Sequence, residues 1–290
     1  MTLQTVKAYL ELVKPRVSGL LAFSGLTAGL TAYRMGLASC SLPVFALAMA
    51  ALTLGIFGAN AVTCYIDRDI DALMERTRHR PLPSKRVYPP WKALAFGLTL
   101  SLPALTFLAT LNLYSGLWFA FGLADSTIIY NLLTKRKTPW NIILGAPAGG
   151  APAMAAWSAV SGQPFHPVPF LMAALIVLWT PAHIWSLAIR YAEDYRRANV
   201  PMLPALTSFD KAARCIASTT LLLPLFSTLL GLAGGFQPPY HLLAQTLNAA
   251  LIFLALKLVL KPSEKAAWKL FKFTSPYLAV HLLAPPLFAG

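Results

Sequence analysis

Charge is scarce in this chain. Only 12% of its 290 residues are charged, and only ten are acidic, whereas a soluble domain carries about 25% charged residues. No polar stretch is longer than residues 67–91, which argues against a separate soluble domain. Cysteine is equally sparse. Cys40, Cys64 and Cys215 form no C-x-x-C pair and no zinc spacing, so they read as small apolar residues. A cleavable secretory leader is not expected, because a polar stretch precedes the first apolar run and no small-residue cleavage site follows it.

What is abundant is apolar sequence, at 57% of the chain. It comes in runs of about 18–25 residues, each long enough to cross a bilayer as a helix. The runs predict nine spans: 17–36, 43–66, 92–111, 115–133, 141–160, 168–189, 212–235, 240–260 and 270–288. The expected fold is an all-α integral membrane protein, one polytopic domain over residues 1–290.

The net charge of +14 raises nucleic acid as a partner, but the distribution of charge argues against it. With nine spans, one side receives the N-terminus and the loops 67–91, 134–140, 190–211 and 257–272. That side holds every Lys and Arg except Arg34. Basic loops stay cytoplasmic, so the N-terminus is expected inside and the C-terminus outside. The partner implied by composition is the lipid bilayer.

The polar residues gather at two helix ends. Asp67, Asp69 and Asp71 lie within five residues. Asp67 and Asp71 are four apart and share a helical face. Asn60, seven residues before Asp67, is expected on the same face, and Asp69 points elsewhere. Two carboxylates this close repel each other unless a cation lies between them. A hard divalent ion such as Mg²⁺ suits such oxygen ligands; a solvated helix end balanced by arginines suits them as well. The loop that follows supplies Arg76, Arg78, Arg80, Lys85 and Arg86. Guanidinium forks match phosphate oxygens, although topology alone also favours cations here.

The second cluster lies in "WTPAHIWSLAIRYAEDYRRANVPMLP" (179–204). His183, Arg190 and Asp194 repeat the i, i+7, i+11 spacing of Asn60, Asp67 and Asp71. His183 is expected about 10 Å deeper than Arg190 at 1.5 Å per residue. An ionisable residue inside a span is a functional candidate; a hydrogen-bonded packing histidine is the alternative. A third cationic group, "TKRKTPWN", offers Lys135 and Arg136 for phosphate. The small residues of "NIILGAPAGGAPAMAAW" suit either a wall for a flat ligand or close helix packing.

Several segments carry a resemblance: "KPRV" (14–17), "YIDRDIDALMERTRHRPLP" (65–83), "TKRKTPWNIILGAPAG" (134–149), "PAHIW" (181–185) and "EDYRRANVPMLP" (193–204). In these, and in their order, the chain resembles the UbiA superfamily of intramembrane prenyltransferases, and within it the haem-farnesylating branch. The first motif is shared broadly across the superfamily. The segment 181–204 is more specific, because Arg190 stands where aromatic-acid prenyltransferases carry an aspartate. Two positions depart from the branch: Thr63 replaces an asparagine, and Ala182 replaces the second residue of Pro-Pro-His.

The resemblance implies nine helices around a central cavity open to the cytoplasm. It implies Mg²⁺-dependent transfer of a farnesyl group from farnesyl diphosphate to haem b. Asp67, Asp71 and Asp194 would hold the metal. Arg76, Arg80, Lys135, Arg136 and Arg190 would hold phosphate oxygens. Asn60 and Thr63 would offer further polar atoms near the substrate, and His183 would face the haem. The recipient of the product stays open between a haem A synthase and a terminal oxidase assembly. Two other readings remain at this point: transfer to a different acceptor, and a non-catalytic haem-binding or transport protein.

Overall fold

A computed structural model describes residues 3–290. The described residues are helical with no strand, as an apolar environment requires of a spanning chain that must satisfy its own backbone. A short amphipathic helix, α1 (Leu3–Leu12), buries Ala8 and Leu12. It is followed by α2 (Pro15–Arg34), α3 (Leu42–Ile66), a one-turn extension α4 (Arg68–Leu73) and α5 (Trp91–Leu111). Then come α6 (Leu113–Ala124), which continues as a π-helix over Asp125–Thr134, and the pair α7 (Asn141–Gly145) and α8 (Pro147–Ser161). The last part holds α9 (Pro167–Arg190), short α10 (Ala192–Arg197) and α11 (Leu203–Leu206), α12 (Phe209–Gly234), α13 (Pro238–Leu260) and α14 (Glu264–Phe288).

All nine expected spans fall on helix. Among the described residues, six helical segments are long and apolar enough to cross a membrane: 42–66, 91–111, 113–134, 167–190, 209–234 and 238–260. The other three differ for physical reasons. α2 mixes small polar residues with apolar ones. The segment 141–161 is cut at Ala146 before Pro147, whose ring cannot continue the α7 hydrogen-bond ladder. α14 opens with Lys265, Lys269 and Lys272.

Helix starts follow local chemistry. Ser208 accepts from the Lys211 amide and Ser263 from the Ala266 amide, satisfying first-turn donors. His166, for which the sequence suggested no role, does the same for α9 by accepting from the Val168 amide at 3.2 Å. α12 ends at Gly235, whose φ of +58° suits a residue without a Cβ.

Neighbouring long helices pack in chain order, and α14 packs back against α2 to close a ring. α2 also meets α8, and α9 meets α14, across the interior. Small residues set the closest approaches. A Cβ at Gly58 would meet the Gly97 carbonyl oxygen at 2.4 Å, so α3 and α5 touch backbone to backbone. At Gly150 it would meet the Ala173 side chain at 2.9 Å, and α8 is buried from Gly150 to Ser161. The small-residue run of α8 thus serves helix packing. A smaller apolar cluster joins α1, the loop residues Leu82 and Val87, the C-terminal end of α3 and the N-terminal end of α5. It supports the polar mouth described next.

Candidate active site

α3 ends at Ile66, and Asp67 is the joint between α3 and α4. The joint keeps its helical bonds: the Asp67 amide donates to the Thr63 carbonyl at 3.0 Å and the Asp71 amide to the Asp67 carbonyl at 2.8 Å. Asp67 and Asp71 therefore stay on one side, and both are buried, at 4% and 5% exposure. Asp69 turns outward with its side chain 60% exposed. The face expected from the four-residue spacing is the face observed.

Each aspartate holds a cation from elsewhere in the chain. Lys135 Nζ lies 2.5 Å from Asp67 Oδ2. Arg80 Nη1 donates to both oxygens of Asp71 at 3.0 and 2.9 Å. Arg136 binds Asp69 through two 2.7 Å bonds, and this guanidinium holds the Asp69 carboxyl below its ordinary range. The second cluster joins the first through Asp194. Its oxygens accept the backbone amides of Glu75 and Arg76 at 3.2 and 3.1 Å, with Arg197 at 3.8 Å. Lys135 Nζ sits 5.5 Å from the Tyr130 ring centre.

Four placements differ from the sequence expectation. Asn60 does not face the carboxylates; its Nδ2 donates to Ser18 Oγ of α2 at 2.9 Å. Thr63 accepts from Lys14 Nζ at 2.8 Å, which sets a cation one turn above Asp67 that the sequence reading had not singled out. Arg136 pairs with exposed Asp69 and not with a buried aspartate. Arg190 and Asp194 do not share a stripe, because α9 stops at Arg190 and α10 begins at Ala192. Asp194 turns to the 75–76 backbone. Arg190 turns to α14, where its guanidinium lies 4.4 Å from the Trp268 ring centre and 4.0 Å from Glu264.

His183 begins an aromatic column beside Arg190. Its ring is stacked between Trp179 and Phe271, each 4.3 Å away, and Trp268 stacks on Phe271 at 4.7 Å. His183 Nδ1 is paired with Thr274 Oγ1 at 2.8 Å. Two stacked rings and the Thr274 hydroxyl thus fix the orientation of the imidazole.

Among the described residues, no three His, Cys, Asp or Glu side chains stand together as a ready metal cage. Asp67, Asp71 and Asp194 are held apart on separate partners. The donor set nonetheless fits an oxygen-loving cation beside an anion. Asp67 Oδ1 and Arg76 Nε are both buried without a hydrogen-bond partner. One is an anionic acceptor and the other a cationic donor, and buried groups of either kind are costly when left unpaired.

The chain matches the UbiA prenyltransferase family model over residues 21–276. It is 42% identical over 284 residues to the protoheme IX farnesyltransferase of Desulforudis audaxviator, covering 97% of this chain and 87% of that one. In fold it is similar to a structure described under digeranylgeranylglyceryl phosphate synthase, with a TM-score of 0.80, 18% identity and 99% of both chains covered. It is also similar to a UbiA homologue from Archaeoglobus fulgidus bound to DMAPP and Mg²⁺, with a TM-score of 0.64, 14% identity, and 96% of this chain and 99% of that one covered. A polar mouth of paired aspartates and cations, set on a ring of apolar helices, thus belongs to a chain that is a member of the UbiA prenyltransferase family.

Proposed function

We propose that this chain transfers the farnesyl group of farnesyl diphosphate to a vinyl group of haem b, giving haem O and diphosphate. The observation that carries the reading is the set of buried carboxylate–cation pairs, Asp67 with Lys135 and Asp71 with Arg80, together with the unpaired buried atoms Asp67 Oδ1 and Arg76 Nε. The relative named above supplies the acceptor and the prenyl donor. The protein acts as one domain spanning residues 1–290. The nine spans expected from the sequence, the broken one at 141–160 included, cross the membrane, with the mouth and N-terminus cytoplasmic.

The pairs are a resting arrangement. Lys135 and Arg80 move from the carboxylates to phosphate oxygens when a diphosphate enters, with Arg76 as a third donor. Asp67 and Asp71 are then free to hold Mg²⁺, and Asp194 keeps the 75–76 backbone in place at their side. Held by Asp67 and Asp71, Mg²⁺ would supply positive charge against the leaving diphosphate. Lys135, Arg76 and Arg80 stabilise the same charge as the allylic C–O bond breaks. The carbocation is left among apolar helices, which limits its capture by water. The haem vinyl π electrons form the new C–C bond, and water adds to the resulting cation with loss of a proton. Arg190, stacked on Trp268, closes the α14 side of the mouth. His183 lies deeper, on the aromatic column that faces the acceptor.

The test is release of diphosphate by the purified protein given farnesyl diphosphate, Mg²⁺ and haem b. Release that depends on haem supports the reading. Haem binding without release points to a carrier, and release that requires another acceptor points to a different member of the family.

A further inference from the structure

Beside the polar mouth, at Asp69 and not at Asp67 or Lys135, lies a groove of about 500 Å³ bordered by Tyr65, Arg68, Asp69, Asn131, Leu132 and Arg136. This is within the range of about 300–1,000 Å³ typical of small-molecule sites. We propose that the groove binds the headgroup of a membrane phospholipid whose phosphodiester carries a hydroxylated substituent.

Three observations converge on that chemistry. The first is charge. Two guanidiniums, Arg68 and Arg136, less the single carboxylate of Asp69, leave one positive charge. A phosphodiester carries one negative charge, and guanidinium donors match its oxygens. Both arginines are already aligned by their own contacts. Arg136 is fixed on Asp69 and also donates to the Ile66 carbonyl at 3.2 Å. Arg68 donates to the Tyr65 carbonyl at 2.6 Å and lies 4.3 Å from the Tyr65 ring centre.

The second is an unmet acceptor. Asn131 is 2% exposed, and its Oδ1 has no hydrogen-bond partner. The amide cannot be turned to relieve this, because Nδ2 donates to the Ser126 carbonyl at 2.6 Å, and exchanging the two atoms would set oxygen against oxygen. It asks for a donor from outside the chain, since the neighbouring carboxylate of Asp69 is already met by Arg136. A headgroup hydroxyl is such a donor, and a choline group is not.

The third is position. The groove lies where α3 ends at Ile66 and where the π-helix ends at Thr134, on the side of the chain where the basic loops gather. Beside it, Ile128, Ile129, Leu132 and Leu133 are exposed and form an apolar track for acyl chains.

The experiment is native mass spectrometry of the purified full chain, given equal amounts of dioleoyl phosphatidylglycerol and dioleoyl phosphatidylcholine. The expected result is one phosphatidylglycerol retained about tenfold over phosphatidylcholine. Arg68→Gln, a surface change, should abolish that preference while haem farnesylation and the thermal midpoint stay as in the parent; Asn131→Leu should abolish it too, with a lower midpoint because the Ser126 carbonyl loses its donor. Equal retention of the two lipids would overturn the proposal. So would a preference that survives Arg68→Gln, a variant whose fold is not at risk. Displacement of the lipid by millimolar inorganic phosphate would also overturn it, by showing a site for free anions.

Discussion

Replacing Lys135 with methionine strips Asp67 of the partner at 2.5 Å, when its other oxygen already has none. The Asp67 and Lys135 side chains are 5% and 14% exposed, so solvent replaces little of the lost interaction. Breaking a buried pair from one side costs about 3–5 kcal/mol, and the lower end applies to a site at the rim of the bundle. At about 2–4 °C per kcal/mol for a chain somewhat shorter than this one, the thermal midpoint should fall by roughly 6 °C or more. Adding Asp67→Asn removes the stranded charge, and the double variant should recover most of the loss, a coupling of about 2 kcal/mol. Turnover behaves differently. Each single variant and the double variant should fall by about 10²–10³-fold, because a cation aimed at the leaving group is worth that much and the carboxylate is needed for the metal. The midpoint is read from tryptophan fluorescence in detergent, using the chain's seven tryptophans. Strictly additive losses of stability, or a double variant with restored turnover, would refute the pairing.

Four other outcomes follow from the geometry. Asp67→Asn and Asp71→Asn should each lower turnover by orders of magnitude, while Asp69→Asn is far milder; equal losses in steady-state assays would contradict the burial pattern. Arg80→Ala should raise KM for farnesyl diphosphate and leave haem affinity unchanged in a haem titration. His183→Ala should lower haem affinity, with binding of a non-hydrolysable farnesyl diphosphate analogue intact; a fold defect would lower both together. The Asp69 carboxyl is depressed from its ordinary value of 3.8 by Arg136, so its contribution to stability is complete above that value and is lost as pH falls through the lower, folded value. The Asp69–Arg136 clamp should therefore hold across neutral and mildly acidic pH. Thermal midpoints taken down to pH 3 should show less acid loss in Asp69→Asn than in the parent.

Much of the helical frame was legible in the sequence, because a spanning helix announces itself by an apolar run of fixed minimum length. The span expected at 141–160 is instead cut before Pro147, whose ring cannot continue the ladder. The opposed placement of Asp67 and Asp69 followed from helical spacing, since Asp67 keeps its i−4 bond to Thr63. What spacing could not carry was continuity through a joint. α9 stops at Arg190, so the regular i, i+4 relation to Asp194 fails, and nothing around Tyr191 signals the break. The π-helix over 125–134 has no sequence period of its own. The cation of each pair was also hidden: Lys135 reaches Asp67 across 68 positions, and Lys14 reaches Thr63 across 49. Asn60 was drawn away by Ser18, a residue with no chemical signature. Asp125 went unremarked, yet it is buried and its carboxylate accepts the Ala148 amide at 2.8 Å, capping the first turn of α8 from another helix.

The central claim is the transfer of a farnesyl group to haem, and the porphyrin product tests it directly. Purified protein is incubated with haem b, farnesyl diphosphate and Mg²⁺, and the extracted porphyrin is weighed by mass spectrometry. The account predicts haem b increased by the mass of one farnesyl group and one hydroxyl, dependent on Asp67, Asp71 and Lys135. Unmodified haem b from a well-folded enzyme, with farnesyl diphosphate intact or its prenyl group on another acceptor, would contradict it.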